Sequence, residues 1–180
     1  MSDVTLRAAV PADVPALEAL IAASARALGR GFYTDAETEA AITHVFGVDS
    51  ALVADGSYFV AEVDGALAGC GGWSARRTLF GGDRFAGRED DWLDPATDAA
   101  RIRAFFVAPA FARRGVGRAI LTACEEAARA AGFRTAALMA TLPGVPFYAA
   151  SGYVAGGGSV FHDCGGIRVR FVPMTRPLLQ

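Results

Sequence analysis

Three arginines and two glycines fall within six residues, Arg113-Arg114-Gly115-Val116-Gly117-Arg118, directly behind the apolar run Phe105-Phe106-Val107 and directly ahead of an amphipathic stretch. A strand that turns through glycine into a helix exposes the first backbone amides of that helix, which lack intrahelical acceptors and carry the positive end of its dipole. Glycine lets a diphosphate come close to them, and arginine adds charge-assisted donors. The second chemically loaded segment is Phe147-Tyr148-Ala149-Ala150-Ser151-Gly152-Tyr153. It carries Tyr148, a phenol that can supply a proton at a reacting centre, and Tyr153, which reads as the start of a core strand.

Composition narrows what such a turn can serve. All 17 basic side chains are arginine. That excludes a Walker lysine, a Schiff-base lysine and a pyridoxal-phosphate anchor, and with them the kinase and ATPase readings. The six residues from Gly115 to Ile120 also lack the third small residue that the dinucleotide fingerprint requires. A mere turn remains the alternative for a Gly-x-Gly taken alone. The net charge of −2 and pI near 5.7 argue against a nucleic-acid partner. No apolar run approaches the roughly 20 residues of a membrane span, and Ser2, Asp3 and Arg7 do not make the basic flank of a signal segment. The expected location is cytoplasmic. Cys70, Cys124 and Cys164 are odd in number and far apart, which fits buried thiols better than disulfides or a metal set. No metal is expected.

The pattern along the chain suits a single domain over 1–180. Val4–Ala8 reads as a strand; Pro11-Ala12-Asp13 opens a helix with Val14, Leu17, Leu20 and Ile21 on one stripe, ending at Gly29. A second helix is expected from Asp35 to Phe46. Asp64-Gly65 joins strands 58–63 and 66–73 in a tight hairpin. Residues 74–98 form an inserted loop. A strand over 101–108, a helix over 115–131 closed by Gly132, a strand over 135–140 and a short helix over 145–151 follow. The chain ends in a hairpin, 153–162 with 167–174. The helix at 115–131 should bury Val116, Ala119, Ile120, Ala123, Cys124 and Ala127, with Glu125 elsewhere.

This order, β-α-α-β-β-β-α-β-α-β-β, together with the Arg-Arg-Gly-Val-Gly-Arg turn and the Phe147–Tyr153 segment, closely resembles the GNAT superfamily, the Gcn5-related N-acetyltransferases. The resemblance spans the chain, and residues 101–153 are its specific part. It implies an α/β (α+β) fold with a mixed, mostly antiparallel central sheet flanked by helices and splayed at its middle. Acetyl-CoA would lie in the splay as cosubstrate, and its acetyl group would pass to a primary amine, here expected on a small molecule. The amides of Arg113, Arg114, Gly115, Val116, Gly117 and Arg118 would cradle the diphosphate, and the backbone of Phe105, Phe106 and Val107 would pair with the pantetheine arm. The family pattern opens with Gln or Arg where this chain has Ala112, a departure that the neighbouring arginines are placed to offset.

By the same resemblance Tyr148 is the expected general acid for the departing thiolate; the plainer alternative is that it packs the short helix against the sheet. No general base is legible. The strand position where several family members carry Glu holds Arg101, Ile102 and Arg103, leaving Glu62, Asp94 and Asp98 as candidates by position only, with His44 and His162 ambiguous. The acid-rich loop, with Trp73 and Trp92, is expected either to draw in a cationic amine or to be a solvated surface segment. A homodimer is a plausible assembly. A non-enzymatic reading, a CoA-binding sensor or partner-binding module, stays open because of Ala112 and the missing base.

Overall fold

A computed structural model describes residues 3–179. Met1, Ser2 and Gln180, which the single-domain expectation also covered, lie outside the described residues. Eight strands form one sheet: β1 (Val4–Ala8), β2 (Tyr58–Val63), β3 (Ala66–Ser74), β4 (Ala100–Val107), β5 (Thr135–Thr141), β6 (Val154–Ala155), β7 (Val160–Cys164) and β8 (Ile167–Pro177). Their order is β1-β2-β3-β4-β5-β8-β6, with β7 also on β8. Among the described strands, β4 and β5 alone pair in parallel. Five helices flank the sheet: α1 (Val14–Leu28), α2 (Asp35–His44), α3 (Ser50–Ala54), α4 (Val116–Ala130) and α5 (Val145–Ala150).

The local chemistry explains most of these elements. Asp64 and Gly65 both take positive φ, 52° and 78°, the pair of left-handed residues a two-residue hairpin turn needs. Thr34 caps α2 by accepting from the Glu37 amide, while Glu37 accepts from the Thr34 amide. Helix α4 buries Val116, Ile120, Leu121, Cys124 and Ala128 against the sheet. Their contacts with Ala68, Ile102 and Leu138 form one half of the core. The other half, around Leu17, Ile21, Leu52, Val60 and Phe171, lies under α1 and α2.

Four expectations are corrected. Helix α2 ends at His44 rather than Phe46, and α3 follows it, started by Asp49, whose carboxylate accepts from the Ala51 amide. The strand expected over 153–162 is two pieces, because Gly157 and Gly158 sit at φ 79° and 74° and leave the extended conformation. Glu125, expected away from the buried face, is 5% exposed. It accepts from the Tyr153 hydroxyl at 2.9 Å and from Arg176 at 2.9 and 3.0 Å, partners 28 and 51 residues along the chain. Ala119, Ala123 and Ala127 are half-buried, so the buried stripe runs one position on from the expected face. The three cysteines are buried and free.

Residues 74–98 are not a loose flap. Arg77 and Thr78 donate backbone bonds to Asp91 and Glu89, and Leu93 donates to Ala75, folding the segment into a strap. Its tip is tied down where Gly82 and Asp83 donate to Val45 and Val48. Beneath it, Arg103 and Asp49 form an ion pair at 2.7 Å, both about 1% exposed at the side chain. Arg103 also donates to the carbonyls of Thr78 and Gly81, and Arg88 reaches Asp49 at 3.0 Å.

Candidate active site

The site begins with a fault in strand pairing. Gly72 stands opposite Arg103 and Cys70 opposite Phe106, so β4 carries an extra residue against β3. Ala104 absorbs it at φ 48°. A bulge bends its strand and sharpens the local twist. The Tyr58 hydroxyl donates to the Ala104 carbonyl at 2.6 Å and holds that bend. Gly71 permits it as well, since a Cβ there would stand 2.6 Å from the Phe105 ring. After pairing only at Ala100 with Ala136 and Arg101 with Ala137, β4 and β5 part.

The opening is a cavity of about 870 Å³. At one end Phe105, Phe106 and Val107 form its wall with Arg113, Gly115, Gly117, Arg118 and Phe147. Ala112 takes an extended conformation, Arg113 turns to φ 62° and Gly115 to φ 84°, and α4 starts without a side-chain cap. The first intrachain acceptor in this stretch is the Gly115 carbonyl, which takes the Ala119 amide at 3.0 Å. The amides from Arg113 to Arg118 therefore face outward with no backbone acceptor among the described residues. Alternating conformations of this kind gather N–H groups into an anion-binding concavity. Apolar walls leading to such a concavity fit a diphosphate on a long, mostly uncharged arm.

Two of the expected binding residues contribute less than the others. Val116 is 1% exposed with its side chain in the core, leaving only its amide. Arg114 points away from the cavity and stacks on Phe111, its guanidinium carbon 5.2 Å from the ring centroid.

Tyr148 lines the cavity and is 8% exposed. Its ring meets Phe105, Phe147 and Tyr153 at centroid distances of 6.0, 5.1 and 5.8 Å. Burial, with a smaller contribution from Cys124, pushes its phenol well above the ordinary value of 10.0, so it stays protonated at neutral pH. Packing and proton donation are thus compatible in this one side chain.

The expected acids lie elsewhere. Glu62 pairs with Arg7 on the β1 edge, and Asp94 and Asp98 accept from backbone amides of their own turn. Asp83 accepts from Ser50, Asp90 is 3.6 Å from Arg88, and Trp92 is covered by Arg76 at 4.2 Å. Trp73 packs on Phe133. His162 stacks on Phe80 and Phe85 without lining the cavity. Of the strap, Leu79, Phe80, Gly81 and Gly82 alone form cavity wall. None of the loop's acids lines the cavity. Among the described residues no group of three or more His, Cys, Asp and Glu is placed to hold a metal ion. No helix there is long and apolar enough to cross a membrane.

Sequence reading missed Tyr33. Its hydroxyl donates to the Arg170 carbonyl at 2.6 Å and accepts from the Leu142 amide at 3.0 Å, joining the α1–α2 connection to β8 and the end of β5 along the cavity wall. Nothing in the local sequence marks it. Phe80-Gly81-Gly82, an aromatic before a glycine pair inside a charged loop, was the one sign that the strap turns inward.

A mixed sheet parted between parallel neighbours, with free helix-start amides at one mouth and a buried phenol within, defines a fold for acyl transfer. A family model described as the acetyltransferase (GNAT) family matches residues 21–153, and the chain belongs to that family. No curated protein sequence matches it significantly. Among solved structures it is similar to a GCN5-related N-acetyltransferase from Rhodopseudomonas palustris, with 23% identity, 98% and 97% of the two chains covered and a TM-score of 0.73. It is also similar to the PaiA N-acetyltransferase from Thermoplasma acidophilum in complex with coenzyme A (13% identity, 97% and 99% covered, TM-score 0.64). A third is the ribosomal-protein-alanine N-acetyltransferase from Brucella melitensis (17% identity, 96% and 99% covered, TM-score 0.62). At such identities these likenesses speak for the fold, including the sheet, flanked by helices, that the sequence resemblance implied.

Proposed function

We propose that this chain transfers the acetyl group of acetyl-CoA to a primary amine of a small molecule, with Tyr148 as general acid. The observation that carries the reading is the set of unpaired amides from Arg113 to Arg118 at one end of a cavity whose interior holds a phenol kept protonated by burial. The CoA binding stated for the Thermoplasma relative supports the same use of this opening.

The thioester is supplied by acetyl-CoA; the chain's residues anchor, orient and donate. Amides of Gly115 to Arg118 and the guanidinium groups of Arg113 and Arg118 would hold the diphosphate. The parted edge of β4 at Phe105 to Val107 offers backbone groups to the amides of the pantetheine arm. Tyr148 gives its proton where negative charge develops on sulfur. The cavity walls exclude water from the reacting carbonyl.

The direct test is an assay for release of free CoA thiol over amino acids, polyamines, aromatic amines, aminoglycosides and peptide N-termini. Amine-dependent thiol release supports the proposal; acetyl-CoA binding with no release for any amine would make the chain a CoA-binding module instead. The anchor has its own prediction. A Cβ at Gly115 would meet no atom within 4 Å and so would project into the space before the amides, at a φ of 84°. For Gly115→Val, lost approach plus left-handed strain of roughly 1–2 kcal/mol should lower acetyl-CoA affinity about 10–100-fold by isothermal titration. Unchanged affinity would place the diphosphate elsewhere.

A further inference from the structure

The amide-bearing end of the cavity accounts for only part of its volume; the other end, where the acceptor must sit if the proposed acetyl transfer holds, has a different character. Its wall carries Phe32, Phe46, Phe80 and Phe171 beside the uncharged polar Ser24 and Thr38. The rings pack on one another, Phe46 on Phe106 at 5.3 Å and on Phe171 at 6.2 Å, with Phe80 on Phe171 at 5.5 Å. Among the described residues no Asp, Glu or His lines any part of the cavity, and its ionisable cations are arginines 103, 113 and 118. Two acids behind the lining residues Gly47 and Arg103 are already engaged: Glu18 accepts from the Val48 amide and from Arg84, and Asp49 is paired to Arg103 and Arg88.

These two observations meet in one requirement. An ammonium entering this end would leave water for a largely aromatic wall with no carboxylate to meet it, which disfavours the charged form. We infer that the acceptor is a weakly basic amine that arrives uncharged and is carried on an aromatic or similarly apolar body. The inference rests on the proposed acetyl transfer and names its substrate class.

It also removes the missing base from the chemistry. The lone pair of a neutral amine forms the C–N bond at the thioester carbonyl carbon, the C–S bond breaks, and its electron pair leaves on sulfur. Tyr148 gives sulfur one proton. Nitrogen then carries one proton too many for an amide, and that proton restores the phenol. Atoms and charge balance with no carboxylate in the cycle. A basic alkylamine has no such route, because at about pH 7.5 a group of Lys-like pKa is neutral in only about one molecule in 10³.

The test compares p-toluidine with spermidine as acceptors under saturating acetyl-CoA, each across about pH 6.5–9. For p-toluidine kcat/KM should be at least 100-fold higher than for spermidine and flat with pH; for spermidine it should rise roughly tenfold per pH unit, following the neutral fraction. Equal or better use of spermidine overturns the inference while leaving acetyl transfer intact. Phe32, half-exposed at the lip, supplies a variant that should fold. Phe32→Glu should lower p-toluidine kcat/KM about tenfold with acetyl-CoA affinity unchanged, and no change in kcat/KM counts against the inference. If no amine turns over, so that the acetyl-transfer reading fails, titration of p-toluidine and spermidine into the CoA-loaded protein still decides occupancy. Tighter binding of p-toluidine supports the apolar acceptor end, and tighter or equal binding of spermidine overturns it.

Discussion

Replacing Tyr148 by Phe should lower turnover by about 10²–10⁴, the usual range for a lost general acid, and leave acetyl-CoA affinity within a factor of about three. The ring keeps its place because its contacts with Phe105, Phe147 and Tyr153 are made by carbon atoms of the aromatic face and edge. What is removed is the phenol's one proton, which stays on the oxygen at neutral pH. The combination separates the two roles weighed for this residue. A packing role predicts an altered melting temperature and near-normal turnover for a truncating change, whereas the phenol's chemistry predicts normal melting and lost turnover for Tyr148→Phe. Pre-steady-state thiol release with a saturating amine checks it, since the acid acts as the C–S bond breaks.

The second large effect concerns stability. Asp49→Ala leaves Arg103 and Arg88 facing one another with the counter-ion gone, and the loss of one partner of a buried pair costs about 3–5 kcal/mol. For a chain of this length that corresponds to a fall in Tm of roughly 6–20 °C. The double variant Asp49→Ala with Arg103→Met should recover part of the loss, because the more deeply buried of the two charges is gone and Arg88 keeps Asp83 and Asp90 at 3.6 Å. The recovery is incomplete: the carbonyls of Thr78 and Gly81 lose their donor. pH gives an independent reading. Burial opposes ionisation of Asp49, but the Arg88 hydrogen bond and the charges of Arg103 and Arg88 outweigh it, and its pKa lies below the ordinary 3.8. A carboxylate held low contributes its full stability above the unfolded-state value and loses it as pH falls through the folded value. The Tm gap between wild type and Asp49→Ala should therefore be constant above about pH 5 and close progressively below 3.8. A gap that does not narrow in acid would show that Asp49 stabilises by shape and not by charge.

How much of this was legible in the sequence depended on how local each cause is. Asp64-Gly65 announces a hairpin because both residues tolerate positive φ, and the turn forms there. Arg113 to Arg118 reads as a place for an anion because glycine and helix-start amides are local facts, and among the described residues those amides have no backbone acceptor. Gly156-Gly157-Gly158 should have broken the terminal strand on the same reasoning. The splay itself was legible only through resemblance. Nothing in Arg103-Ala104-Phe105 marks a bulge, whose position depends on Gly71 and on the Tyr58 hydroxyl across the sheet. The buried Arg103–Asp49 pair and the Tyr33 bridge depend on partners 54, 109 and 137 residues away. The inward turn of the strap at Phe80 falls in the same class. It also puts Phe80, and none of the strap's acids, on the cavity wall, since charge counted along a loop says nothing of which side faces the cavity.

The proposed chemistry rests on one placement: a diphosphate on the amides of α4 and a thioester beside Tyr148. Its most direct test is the structure of the acetyl-CoA complex. The account predicts phosphate oxygens within about 2.7–3.2 Å of backbone nitrogens between Arg113 and Arg118, with the thioester sulfur in hydrogen-bond reach of the Tyr148 hydroxyl. A diphosphate bound away from that turn, or a sulfur out of reach of Tyr148, would contradict it.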